Sequence, residues 1–183
     1  MTASETLQHE HQIITVALRG MERTARSAKR SGAIRAEIIE QIVDFARNFV
    51  DACHHAKEEK HLFIKLAARG VPVEGGLIGE LLAEHQQGRQ QVRAIHEALP
   101  QAAQGESDAI ARVAAGLASY VETLRAHIAK ENRALFPLAD SVLTAEDQAS
   151  LGEAFERVEL EEIGAGVHEK YHQMAHALGE LPE

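Results

Sequence analysis

The chain has no tryptophan, two tyrosines, four prolines and a single cysteine, Cys53, among its 183 residues. One thiol cannot close an internal disulfide, which fits a reducing compartment. β-Branched and alternating runs are few, so the chain does not read as sheet. No uninterrupted apolar run is long enough to span a bilayer, and the opening M-T-A-S-E-T-L-Q-H-E-H has neither a basic n-region nor an apolar h-region. Basic residues are scarce relative to acidic ones, 19 against 28, for a net charge of -9. That balance argues against nucleic acid or a membrane surface as partner. Nucleotide-binding loops and nucleophile triads are also missing. The expectation is a soluble cytoplasmic protein.

What is abundant is equally specific. Ala, Leu, Glu, Gln and Arg, all strong helix formers, dominate the composition, and there are 11 histidines. Apolar residues recur at helical spacing over about residues 3–30, 34–69, 76–98 and 107–142, with breaks at Ser31-Gly32, Gly70 to Pro72, and Pro100 to Gly105. Pro137 is expected to kink or end the fourth segment. Thr144-Ala-Glu-Asp147 resembles a capping box opening a shorter helix to about 161, and Ile163-Gly-Ala-Gly166 separates it from a sixth over about 167–179. The pattern predicts an all-α fold: an antiparallel up-down four-helix bundle over 1–142 with a C-terminal helical extension over 143–183 packed on it.

Polar residues fall on the apolar stripes of all four long segments. Advancing 100° per residue, His11 lies among Leu7, Ile14 and Leu18, and His85 among Ile78, Leu81, Leu82 and Val92. His127 and Glu131 lie among Val113, Leu117, Leu124 and Leu135. The second segment contains C-H-H-A-K-E-E-K-H-L-F, where His54 with Glu58 and His55 with Glu59 are rival pairs four apart, each able to present an imidazole and a carboxylate to one ion. The wheel places His55 and Glu59 at the stripe's edge and His54 roughly opposite its centre. Aligning H-L-F on the A-L-F of the fourth segment favours His54 and Glu58 instead. The wheel is the stronger argument, because burial must be satisfied along the whole helix. Four imidazoles and two carboxylates facing inward are costly to bury unless paired or metal-bound. Hydrogen bonding among them is the competing explanation; convergence in a bundle favours a dinuclear site.

The ordered set E-H, H-H-A-K-E-E-K-H-L-F, L-L-A-E-H-Q-Q-G-R and L-R-A-H-I-A-K-E-N-R-A-L-F-P-L resembles the hemerythrin-like, or HHE cation-binding, family over about residues 7–140. The resemblance implies a non-haem di-iron centre, its two irons joined through an oxo bridge. By position its ligands are His11, His55, Glu59, His85, His127 and Glu131, with Glu59 and Glu131 as bridges. The chain departs from oxygen-carrying members: Arg89 stands where a second third-helix histidine is found, and Glu131 follows His127 by four rather than an aspartate by five. This resembles the bacterial branch with H-x-x-x-R. An imidazole fewer leaves an open position that Arg89 could flank, stabilising a peroxide or other anion; a surface or packing role for Arg89 is the alternative. His54 and Glu58 are either partners orienting the ligands or a surface ion pair. Zinc or manganese also suit such donors. Cys53 reads as a small buried residue. His168, His172 and His176 form a solvated edge beside a Val167, Tyr171, Met174 and Leu178 stripe.

The functions that follow are a di-iron protein reacting with dioxygen, peroxide or nitric oxide, an iron or oxygen sensor or store without turnover, or a zinc-bound structural bundle. Whether the chain is an enzyme stays open. The extension either covers the bundle or mediates association as a homodimer.

Overall fold

The computed structural model describes residues 1–164 and 166–181, and every regular element among them is helical. Ala165, in the expected break before the last helix, lies outside the described residues. The elements are α1 (Ala3–Ser31), α2 (Ala36–Phe45), π1 (Ala46–His55), π2 (Glu58–Leu62), α3 (Phe63–Ala68), α4 (Leu77–Ala103), α5 (Ser107–Lys130), π3 (Glu131–Leu135), α6 (Phe136–Val142), α7 (Ala145–Arg157), π4 (Val158–Gly164) and α8 (Val167–Gly179). Elements α2 to α3 form one unbroken helical column over 36–68, and α5 to α6 another over 107–142.

Local chemistry sets the ends. Thr2 and Thr144 each cap a helix reciprocally, with Glu5 and Asp147 respectively. Gly32 stops α1 in the left-handed conformation that glycine alone adopts without strain. Pro100 does not end the third helix as expected. It lies inside α4, which continues to Ala103. Pro137 likewise lies inside the 107–142 column, just after the π3 turn, and does not end it.

The apolar residues form two clusters. The larger joins α1, α2, π1, α4 and α5 around residues such as Ile14, Phe45, Phe49, Ile95 and Leu117, and takes in Tyr171, Ala175 and Leu178 from α8. The smaller gathers Leu7, Leu62, Phe63, Leu81, Phe136 and Phe155. Between them along each column lies the polar layer: His11 between Leu7 and Ile14, His54 and Glu58 between Val50 and Leu62, His85 between Leu81 and Val92, Glu131 between Ile128 and Leu135. Among the described residues no helix is long and apolar enough to cross a membrane.

Candidate metal centre

Seven side chains meet in the polar layer, all buried: His11, His54, His55, Glu58, His85, His127 and Glu131. They form two groups of potential ligands that share Glu58. One is His55, Glu58, His85 and His127; the other is His11, His54, Glu58 and Glu131. The Glu131 carboxylate spans both, with His11 Nε2 3.1 Å from one oxygen and His127 Nε2 3.1 Å from the other. Glu58 does the same, 3.8 Å from His54 Nε2 and 3.4 Å from His85 Nε2.

The π turns explain how these residues face one another. Phe63 N–H donates to Glu58 C=O and Phe136 N–H to Glu131 C=O, each five residues back. Each inward glutamate therefore opens a widened turn, the sort of local departure from α geometry that recurs at functional sites. π1 ends in the same manner, with Ala56 N–H donating to Asp51 C=O. A wider turn advances fewer degrees per residue, so His54 and His55 both reach the interior.

Hydrogen bonds fix which ring nitrogen faces the centre. His54 Nδ1 is 2.8 Å from Glu10, His127 Nδ1 2.8 Å from Glu84, His85 Nδ1 2.7 Å from Glu59, and His11 Nδ1 3.0 Å from Asn132 Oδ1. An ionised carboxylate only accepts, so Nδ1 carries the proton and Nε2 presents a lone pair. Those lone pairs are crowded: the Nε2 atoms of His11 and His54 are 3.1 Å apart, as are those of His85 and His127. Both oxygens of Glu58, both of Glu131 and both ring nitrogens of His55 lack a hydrogen-bonded partner. Burying so many unsatisfied acceptors is costly without a positive charge among them. Cations placed there would satisfy the oxygens of Glu58 and Glu131 and one ring nitrogen of His55, whose Nδ1 lies 3.4 Å from Asp51, so the residues present fit a metal centre.

Electrostatics point the same way. Burial and the charge on Glu131 push the Glu58 carboxyl well above the usual range, while burial of Glu131 is outweighed by His127 and His11, which hold it well below when their rings carry a second proton in place of a cation. Burial lowers His54 to about 4 and His55 well below the usual imidazole value. Burial opposes ionisation of Glu10 as well, yet His54 and Lys57 hold it at about 2.

The hemerythrin HHE cation-binding domain matches residues 2–139. The chain belongs to that family. It is also 26% identical over 164 residues to uncharacterized proteins of Mycobacterium tuberculosis and Mycobacterium bovis. The match covers 90% of this chain and 64% of each relative, so the chain spans less than two thirds of their length. No solved structure matches it.

Within this HHE domain the structure brings together five of the six residues anticipated as ligands: His11, His55, His85, His127 and Glu131. The choice of Glu59 over Glu58 as the inward carboxylate is corrected. Glu59 lies at the rim, bound to His85 Nδ1 and Arg89, and Glu58 is fully buried. His54, placed by the wheel away from the core, is buried beside His11. Arg89 flanks the site through others: its guanidinium is engaged by Asp51 and Glu59, both at 2.7 Å.

The two halves of the site repeat one another. His54, Lys57, Glu58 and Glu59 correspond to His127, Lys130, Glu131 and Asn132, the register given by H-L-F and A-L-F. Glu10-His11 corresponds to Glu84-His85. Glu10 holds His54 as Glu84 holds His127, Asn132 holds His11 as Glu59 holds His85, and Lys57 and Lys130 bond Glu10 and Glu84. The outer partners Glu10, Glu84 and Asn132 were missed, although the two E-H pairs were their signal. His55 alone breaks the correspondence, since its counterpart is Ile128.

Proposed function

We propose that the protein binds two iron ions between its helical columns and reacts there with dioxygen, peroxide or nitric oxide. The observation that carries this reading is the pair of buried, unpartnered carboxylates, Glu58 and Glu131, set between two sets of imidazole Nε2 atoms. In this reading His55, His85 and His127 would hold one ion and His11 and His54 the other, with Glu58 and Glu131 available to both. Nitrogen and carboxylate donors of this kind suit iron. Two bound irons would supply redox equivalents to a small oxidant. The extra imidazole from His55 compensates for the histidine that Arg89 replaces.

The chain's own residues prepare that chemistry. Glu10, Glu84, Glu59 and Asn132 hold the Nδ1 protons of His54, His127, His85 and His11 and so keep those four lone pairs directed inward. The apolar clusters on either side exclude bulk water. The four columns over 3–31, 36–68, 77–103 and 107–142 alternate in direction in this reading, which their short connections support.

The test is metal content with the near-UV and visible spectrum of protein purified in air. Two irons per chain with the charge-transfer bands of a ferric pair are expected. Zinc alone, or a flat spectrum unchanged by iron reconstitution, overturns the reading. Consumption of added peroxide by the loaded protein then separates an enzyme from a sensor.

A further inference from the structure

We infer that α8 carries a separate metal site at the surface, where His172, His176 and Glu180 bind a divalent late-transition cation, zinc or copper(II). It uses residues outside the polar layer and does not depend on the metal reading above. Residues 168–172 read H-E-K-Y-H, a helical H-E-x-x-H in which two imidazoles four apart hold zinc beside a glutamate base. The structure takes that motif apart. His168 turns toward π1 and α1, its ring 5.3 Å from Phe49 and its Nε2 3.9 Å from Glu10. Glu169 accepts a hydrogen bond from Gln173. The three histidines expected along one solvated edge therefore part company, and the pair that converges is the next one along the helix.

His172 and His176 stand one turn apart with ring centroids 4.8 Å from each other, so a nitrogen of each can reach a common ion. Glu180 N–H donates to His176 C=O, which carries the helical spacing on and sets Glu180 a further turn along. Tyr171, Ala175 and Leu178 are the buried face of α8; His172 is half-buried beside it, and His176 and Glu180 are exposed. None of these three side chains has a hydrogen bond or an ion pair with another described residue. Two cations that could compete are already engaged, Lys170 by Asp44 at 3.4 Å and Arg23 by the Gly179 carbonyl. A net charge of -9 gives an approaching cation no long-range barrier. Two imidazoles and a carboxylate on one helix leave the remaining coordination positions to water, an open site. Such nitrogen donors suit zinc and copper(II), and copper(II) binds the tighter of the two.

The experiment titrates the purified full chain with copper(II) and reads the bound ion by electron paramagnetic resonance. A signal split by two nitrogens is expected in the wild type and should be lost from His172→Ala and from His176→Ala. His168→Ala should keep it, which separates this site from the H-E-x-x-H pair. Copper taken up by the polar layer is common to all these proteins and cancels in the comparison. A double variant, His172→Ala with His176→Ala, that binds as much copper with the same spectrum overturns the proposal. So does loss of the signal from His168→Ala alone. A second measurement needs no variant: zinc should shield His172 and His176 from diethyl pyrocarbonate, with the labelled positions mapped by mass spectrometry. Equal labelling of both with and without zinc overturns the site as well.

Discussion

Glu58 and Glu59 are neighbours in sequence with opposite surroundings. Glu58 is wholly enclosed, and burial with the nearby charge of Glu131 resists its ionisation. Burial of Glu59 is only partial, and His85 and Arg89 override it to favour the ionised form. The contrast separates a carboxylate that faces the candidate centre from one that steadies a histidine. Glu58→Gln should leave the chain unable to hold two ions, whereas Glu59→Gln should still hold two with roughly 10–100-fold weaker affinity. Metal analysis at graded chelator concentrations distinguishes them, and the reverse ranking would restore Glu59 as the ligand. From sequence, the inward positions of His11, His85, His127 and Glu131 were plain because each sits on a regular apolar stripe. The choice within H-H-A-K-E-E was not, because a wheel turning at 100° per residue cannot follow a chain that widens at π1 and π2.

Whole helices were easier to read than their irregularities. The extents of α1 and α8 and the capping box at Thr144 follow from apolar spacing and cap chemistry, and the structure contains them. Pro100 misled because proline marks where a helix is under strain rather than where it must stop. Close approach between α1 and α8 was also hidden, since it depends on an absence of side chain. A Cβ on Gly20 would land on the backbone carbonyl of Leu178, and one on Gly179 would press on Val16. Gly152 in α7 is different, with nothing within 4 Å of such an atom. Gly152→Ala should raise stability by roughly 0.5–1 kcal/mol through helix propensity alone. Gly20→Ala should lower it by about 1–3 kcal/mol, because neither backbone can yield cheaply. Denaturant midpoints of the two variants must move in opposite directions for this account of the α1–α8 contact to stand.

Across the molecule, the two halves supply matching parts, yet the C-terminal elements make them unequal. Lys130 bonds Glu84 and Glu80 near the surface, with its side chain 31% exposed. Its counterpart Lys57 is completely enclosed, bonded to Glu10 and to Glu159 of π4 and lying over Phe155 of α7. Burial alone would lower the Lys57 amine, but the Glu10 carboxylate overrides it and holds the amine above its usual range. Removing one member of such an enclosed set strands the others. Lys57→Met should cost about 3–5 kcal/mol of stability in the metal-free protein. Lys130→Met, at the solvated counterpart, should cost less than about 1 kcal/mol. Equal costs would mean that π4 and α7 do not shield the Lys57 side.

The polar layer draws its donors from nearly the full span between His11 and Glu131, with both halves contributing to each group of potential ligands. That arrangement sets a timetable for a chain emerging from the ribosome. The early columns can collapse as soon as their apolar faces meet, but no ion can find its full set of ligands until the fourth column is made. Loading is thus a finishing step of biosynthesis. A newborn chain without a cation carries the Glu58–Glu131 pair uncompensated, so its interior is expected to settle only once the fourth column and a cation are both in place.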